Sequence, residues 1–490
     1  MQKAQLRQIS FTLIFLAAAL RIYTASHYLH IMFPDEQFQT LEPASWTIFG
    51  FGWKSWEWYH GVRSWFIPGL YMPVLGILKL LDISGGPISI IACRVLTAIA
   101  SCASLWGFYR LLQLRKIQQE VALIILAAVA LFPTLIVWNA STLSETWASS
   151  FFWFSLPLLI EARFIGGLFL GLSVVARIQM APLALGFLFI FYVMKGFKGR
   201  SFKSVVWGLV VSFIFLGVLD AFTWGKPFYS VYKNIYMNIW EGVADMNGRS
   251  PWSYYFTLMS QDLGLLLPLA CTASVVSGVA FLFKNGCPSS RDHLAKAMDV
   301  ALLLSILLFI TAHSLIGHKE TRFIVPAYLS IFYALAWGIN ITFENLDSLR
   351  RNFNQLLKPA ICIPVVLAVG VLTTSFAIDD SRFDSSDLSD LSVVIRDDAD
   401  FRADPNPCLT FVNHYWIWTR GEMLFGRHIP YNQFRTEELT STQLDKCPYV
   451  IAASAAVPTF RSLYEAKDWK LISINAYGHG YFKNTKGRHL

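Results

Sequence analysis

Apolar residues along this chain come in long unbroken blocks, without the strict alternation of half-buried strands or the narrow stripe of a soluble helix. Crossing the hydrocarbon core of a bilayer takes about 20 helical residues, fewer where a neighbouring helix gives support. Eleven blocks qualify, near 10–28, 88–109, 120–138, 145–160, 164–180, 181–195, 204–223, 262–283, 297–315, 322–341 and 359–377. Charge decides one further run, Phe66 to Leu81. Arg110, Arg115 and Lys116 follow the 88–109 block and belong on the cytoplasmic side. A spanning 66–81 would put them outside, so that run is predicted to lie along the interface. The other basic loops then agree: Lys195, Lys198, Arg200 and Lys203; Lys284, Arg291 and Lys296; Arg350, Arg351 and Lys358. The first block follows Lys3 and Arg7 with no small-residue cleavage site after it, so it reads as a retained span.

The pattern predicts an all-α polytopic membrane protein of about 11 transmembrane helices, with the N-terminus inside and the C-terminus outside. Residues 1–377 form the membrane domain, including a long first outer loop at 29–87; a second outer loop covers 224–261. Residues 378–490 form an exoplasmic C-terminal domain. Its start, 379–404, carries nine Asp against three Arg and reads as a solvated linker. Beyond it, short apolar runs such as Tyr449–Ala453 and Leu471–Ile474 alternate with turns, which predicts a small α/β fold.

Composition removes the alternatives. The chain is 55% hydrophobic and only 15% charged, where a soluble domain carries about 25%, and its mean hydropathy is +0.47. An ordinary soluble enzyme, a disordered chain and an outer-membrane barrel are excluded. The net charge of +8 is carried by short loops between spans and records orientation, so no nucleic-acid partner is expected. Of seven cysteines, five lie in or beside apolar segments; Cys408 and Cys447 lie in the tail and are able to pair.

Candidate chemistry gathers at the outer ends. Asp35 and Glu36 adjoin in the first loop, and Glu42, seven residues after Asp35, falls on the same face of a helix. Trp46, Trp53, Trp56, Trp58, Tyr59 and Trp65 crowd the same loop; most fit an interfacial aromatic belt, and their faces also suit a sugar. Arg63 sits among them. Glu145, Arg177 and Asp220 mark the outer ends of other spans. The sharpest signal is His318-Lys319-Glu320-Thr321-Arg322-Phe323, with Pro326 beyond it. Lys319 and Arg322, three apart, share a helical face and suit a phosphate. His318 and Glu320 lack partners at zinc-site spacing, so no metal is expected. The sequons at Asn139 and Asn340 abut the membrane and a cytoplasmic helix end, and neither suits a glycan. An acidic site near an anion site, both outside, suits an enzyme that uses a lipid phosphate.

PDEQFQTLEPASW from Pro34, WEW at 56–58 and RSWFIP at 63–68 resemble the first luminal loop of the GT22-type, dolichyl-phosphate-mannose-dependent α-mannosyltransferases, and HKETRF at 318–323 resembles a second motif of that family. The match is most like the GPI mannosyltransferase III branch, which adds an α1,2-linked mannose to the GPI-anchor precursor. The N-glycan-precursor α1,2-mannosyltransferases are the nearest rival, and a bacterial enzyme for another lipid-linked glycan is a third reading. The resemblance implies a GT-C membrane fold with catalysis at the luminal surface: the endoplasmic reticulum lumen in a eukaryote, the periplasm in a bacterium. It implies a single inverting displacement. Asp35 would act as base, with Glu36 orienting the acceptor or sharing that role. Lys319 and Arg322, helped by His318 and Arg177, would bind the departing dolichyl phosphate. Gln39, Glu42, Trp56, Glu57 and Arg63 would face the acceptor and its sugars. No cofactor is implied beyond the lipid donor, dolichyl phosphate mannose. A lipid-linked sugar transporter would place charges near the midplane and show repeated halves, and a scaffold subunit would not need both motifs intact.

Overall fold

Close helix contact in the membrane part starts from glycine. In α9 (Phe164–Ala176), Gly167 faces α11 (Ser201–Trp224), where Gly208 faces back. A Cβ on Gly167 would lie 1.9 Å from the Val205 carbonyl oxygen, and one on Gly208 would lie 2.1 Å from that of Phe164. Without side chains at these points the two backbones meet directly, the small-residue packing of membrane helices. Ser212 Oγ adds a hydrogen bond to Leu168 O across the seam, at 2.7 Å.

The structure is a computed structural model that describes residues 3–27, 33–161, 163–194, 201–272, 290–349, 388–414, 419, 421–435, 438, 444, 447–464, 469–475 and 478–484. The chain divides into two units. The first holds residues 1–25, 60–66 and 95–378, and the second holds 26–59, 67–94 and 379–490.

In the first unit, α8 (Ser144–Ile160) packs beside α9, and α10 (Ala181–Val193) packs against α14 (Ser290–Leu315). Five described helices are long and apolar enough to cross a membrane: Arg7–His27, Gly86–Leu114, Phe202–Trp224, Ala297–Leu315 and Thr321–Asn340. Gln119–Leu131 and Pro133–Asn139 add a sixth as a pair bent by 60°. The bend falls where Pro133 has no N–H to continue the helix. The blocks at 164–180 and 181–195 are helices of 13 residues each, about 20 Å long and shorter than a full crossing. The block at 262–283 runs past the described residues at 272, and 359–377 lies outside them. So do Lys195, Lys198, Arg200, Lys284, Arg350, Arg351 and Lys358. The basic loop after α5 (Gly86–Leu114) is anchored: Arg115 Nε lies 2.8 Å from Asp299, which also accepts from Tyr333 Oη. Gln118 N donates to Asn340 Oδ1 at 2.7 Å, so the buried Asn340 side chain is occupied within the fold.

In the second unit a five-stranded sheet runs in the order β2-β1-β3-β5-β4. Here β1 is Leu409–Val412, β2 Tyr431–Phe434, β3 Tyr449–Ala452, β4 Trp469–Ile474 and β5 Gly480–Asn484. Strands β1, β2 and β3 are parallel, and β5 is antiparallel to both its neighbours. The central β1 and β3 are buried along their length, as strands covered on both faces are. The disulfide Cys408–Cys447 joins the residues leading into them. The small α/β fold is as expected, but the acidic stretch before it is not a linker throughout. Ser389–Asp397 and Ala399–Ala403 are helices, because Leu388, Leu391 and Ile395 recur at helical spacing and, with Phe401, enter the core under the sheet.

Candidate active site

The first unit gathers its charges where α9 stops. Arg177 is extended (φ −153°, ψ 114°), followed by a short 3-10 turn and Pro182 at the start of α10. Its guanidinium therefore turns back onto the first turn of α8. Arg177 Nη1 donates to Ser144 Oγ at 2.9 Å, and Nη2 lies 3.1 Å from Glu145 Oε1. Arg322 Nε approaches the same oxygen at 3.3 Å and Glu320 Oε2 at 2.6 Å. Glu320 Oε1 then takes His318 Nε2 at 2.8 Å. The Phe323 ring lies beneath both guanidinium carbons, at 5.0 Å from Arg177 and 5.4 Å from Arg322. Arg177, Glu145 and Arg322 are almost wholly buried.

The ladder alternates in sign. His318 Nδ1 faces Gly248 O at 3.3 Å while Nε2 faces a carboxylate, so both nitrogens are placed to donate, as in imidazolium. The Glu320 bond raises the His318 pKa against the pull of partial burial. Burial alone would raise Glu320, but the charge of Arg322 and the bonds from His318 and Arg322 bring it down to about 2. Two guanidinium groups and the His318 imidazole thus alternate with two carboxylates in one ladder.

Lys319 departs from expectation. Glu320 is extended and Thr321–Ile324 is a 3-10 turn, so Lys319 precedes the helix and shares no helical face with Arg322. The buried Lys319 Nζ donates to Ser250 O at 2.9 Å and to Ile316 O at 2.5 Å, stapling the second outer loop to the motif. Arg177 occupies the place beside Arg322 that the spacing gave to Lys319. Arg63 also lies in this unit, where its charge interacts with that of Arg177 and its carbonyl accepts from Trp224 Nε1 at 3.1 Å. Asp220 closes the same corner, accepting from Ser230 N at 2.9 Å and Ser230 Oγ at 2.6 Å.

The second unit holds the two adjacent carboxylates. Asp35 caps a π-helix, Glu36–Leu41, which runs into α2 (Glu42–Phe49). A π-helix is rare and is frequently found at functional sites. Its wider turn rotates each residue by less than the roughly 100° of an α-helix, so the seven-residue spacing does not align Glu42 with Asp35. Asp35 is half-buried and Glu36 fully buried. Glu42 turns inward instead: it accepts from Gln37 Nε2 at 3.0 Å, Trp53 N at 2.6 Å, Met423 N at 2.9 Å and Glu422 N at 3.2 Å. Burial pushes its carboxyl up to about 7, against the pull of these donors. Gln39 Nε2 donates to Glu57 at 3.3 Å, with both side chains buried, while Trp56 is exposed. The spacing rules could not reach Glu422, which the fold alone brings to this loop. Glu145 carried a signal in sequence, as an acid at the outer start of a span.

Curated relatives are similar in sequence to part of this chain. GPI mannosyltransferase 3 of Drosophila melanogaster is 26% identical over 62% of this chain and 51% of its own length. GPI alpha-1,2-mannosyltransferase 3 of Danio rerio is 27% identical over 62% and 55%, and GPI mannosyltransferase 3 of Yarrowia lipolytica 25% over 69% and 64%. The chain thus spans from about half to under two thirds of these relatives. Among solved structures, ArnT from Cupriavidus metallidurans bound to undecaprenyl phosphate matches with a TM-score of 0.58 at 12% identity, over 97% of this chain and 98% of that one. The oligosaccharyltransferase of Archaeoglobus fulgidus matches at 0.52 and 11% identity, over 99% and 74%. These likenesses are of fold, and the fold is the expected GT-C class. The family model that describes Alg9-like mannosyltransferases matches residues 12–382, and the chain belongs to that family.

Proposed function

We propose that this protein is an inverting α-mannosyltransferase that moves mannose from dolichyl phosphate mannose to a lipid-linked glycan. The favoured acceptor is the GPI-anchor precursor, where it adds the third, α1,2-linked mannose. The observation that carries the reading is the buried convergence of Arg177 and Arg322 on Glu145, two guanidinium forks suited to a phosphate. The names of the relatives support the acceptor.

Asp35, half-buried where Glu36 is enclosed, accepts the proton of the acceptor hydroxyl as it attacks the anomeric carbon of β-mannosyl phosphate. The C–O bond to phosphate breaks, and the product is α-linked. Glu36 orients the acceptor. Arg322, Arg177 and His318 take up the charge of the departing dolichyl phosphate. Gln39, Glu57, Trp56 and Arg63 serve the acceptor sugars. Arginine supplies the charge stabilisation, so transfer is expected to persist in EDTA. The site faces the endoplasmic reticulum lumen, or the periplasm in a bacterium, and the Cys408–Cys447 disulfide suits either compartment.

The test supplies purified protein with mannosyl-phosphoryl-dolichol and two acceptors separately, a dimannosyl glucosaminyl-phosphatidylinositol and a lipid-linked N-glycan precursor. Mannose on the first alone supports the GPI reading. Mannose on the second moves the protein to the N-glycan branch with the mechanism intact. No consumption of donor at all, even by water, sinks the enzyme reading.

A further inference from the structure

Within the second unit, the C-terminal domain grips the loop that carries Asp35 and Glu36 by an apolar contact and a polar one. Phe38 is 3% exposed, and its ring lies in the same core as Leu391, Ile395, Phe401, Phe411 and Tyr481. Trp53 packs edge-on against Phe38 at 5.1 Å between ring centres, and Trp58 Nε1 donates to Phe38 O at 3.2 Å. The side chain three positions after Asp35 is therefore a core residue of the C-terminal domain.

The polar grip is reciprocal. Glu42, on the loop side, accepts from the backbone N–H of Glu422 and Met423 at 3.2 and 2.9 Å. Glu422, on the domain side, accepts from Gly52 N of the loop at 3.0 Å and from its own neighbour Ile429 N at 3.2 Å. Gln37 Nε2 reaches Glu42 Oε1 across five residues, the repeat of the π-helix. Gly421 has a positive φ of +67°, and a Cβ there would lie 2.4 Å from Glu42 Oε1, so the bracket admits only glycine without a shift. Two buried carboxylates thus bind backbone donors from both sides, with Gln37 Nε2 on Glu42 and His428 Nδ1, 2.5 Å from Glu422 Oε1, as their side-chain partners.

We propose that the C-terminal domain sets the geometry of the Asp35 loop, with Glu42 and Glu422 as positioning residues that clamp loop and domain to each other. This rests on the mannosyltransferase reading of Asp35. A displacement of about 1 Å in a reacting group costs on the order of 10²-fold in rate. The clamp thus acts on turnover and, through Glu36 and Gln39 on the same loop, on the acceptor, and not on donor binding.

The test compares full-length wild type with Glu422→Gln in nanodiscs by mannosyl-transfer kinetics and amide hydrogen exchange. The expected result is a kcat about 10–100-fold lower with donor KM within about threefold. Exchange should quicken over residues 36–43 while β1 and β3 keep their protection. Glu42→Asp should recover part of what Glu42→Gln loses. Quicker exchange with unchanged kcat overturns the proposal, and so does unchanged exchange, or a KM rise with kcat unaltered. Should Glu422→Gln fail to fold, Glu422→Asp keeps the charge but shortens the reach to Gly52 N and carries the same readings. If wild type transfers no mannose, the mannosyltransferase reading fails, while exchange alone still decides whether the two glutamates hold the loop.

Discussion

The carboxylate of Glu145 lies between two guanidinium groups, its Oε1 3.1 Å from Arg177 and 3.3 Å from Arg322. One acid holds two like charges apart in a buried site. Removing it strips Arg177 of its carboxylate beside Arg322, which keeps only Glu320, a loss on the order of 3–5 kcal/mol for a broken buried pair. Glu145→Gln is therefore expected to lower the thermal unfolding midpoint more than Ser144→Ala, which removes a hydroxyl bonded to Arg177 and Glu145 but leaves their ion pair in place. Polyprenyl phosphate should restore more of that loss in the variant than it adds to wild type, because an anion can take the place of the carboxylate. Equal shifts from the ligand in both proteins would show that the arginines do not receive it.

Asp35 and Glu36 adjoin in sequence but differ in access, one half-buried and the other enclosed. Asp35→Asn removes the proton acceptor and is expected to lower kcat by roughly 10²–10⁴-fold with little change in donor KM. Glu36→Gln should cost less, since a buried orienting group keeps much of its geometry as an amide. Single-turnover transfer with preloaded donor separates the two. The assignment reverses if Glu36→Gln proves the slower variant.

The membrane blocks, the small sheet and the two charged motifs were legible in sequence because each is local. Periodicity and charge report on neighbours along one helix or strand. The Glu145 ladder was legible only in parts, since Glu145, Arg177 and Arg322 come from separate elements. The Lys319–Arg322 face failed for a local reason: the backbone is extended at Glu320, so helical spacing does not begin until after Lys319. The π-helix at Glu36–Leu41 had no signal of its own, because Phe38 is held in a core supplied by the C-terminal domain. The helix at Ser389–Asp397 was missed, because the acidic run around Leu388, Leu391 and Ile395 masked their helical spacing.

The His318–Glu320 pair gives the ladder a pH window. The Glu320 bond raises His318 above 6.5, so its contribution to stability is complete below about pH 6.5 and is lost as pH rises through the raised value. Glu320 is held down at about 2 from 4.5, so its contribution is complete above about pH 4.5 and is lost as pH falls toward 2. Both are fully present between about pH 4.5 and 6.5. The difference in unfolding midpoint between wild type and His318→Gln should be greatest in that window and shrink on the alkaline side. A difference that grows with pH above 7 would mean that His318 is neutral in the fold.

Lys319 and Arg322 stand three apart in one motif yet carry different loads. The Lys319 ammonium is spent on the carbonyls of Ser250 and Ile316, and Arg322 belongs to the charge ladder. Arg322→Lys keeps a charge but loses the planar fork, and a charge-assisted bond is worth about 1.5–3 kcal/mol. Donor kcat/KM is therefore expected to fall about 10–100-fold. Lys319→Met should leave donor KM within about threefold of wild type and instead lower the unfolding midpoint, since the freed carbonyls lose a buried donor. Faster proteolysis of the 241–252 segment would locate that loss at the second outer loop. A donor KM that rises as steeply in Lys319→Met as in Arg322→Lys would put the lysine on the phosphate and make the staple incidental.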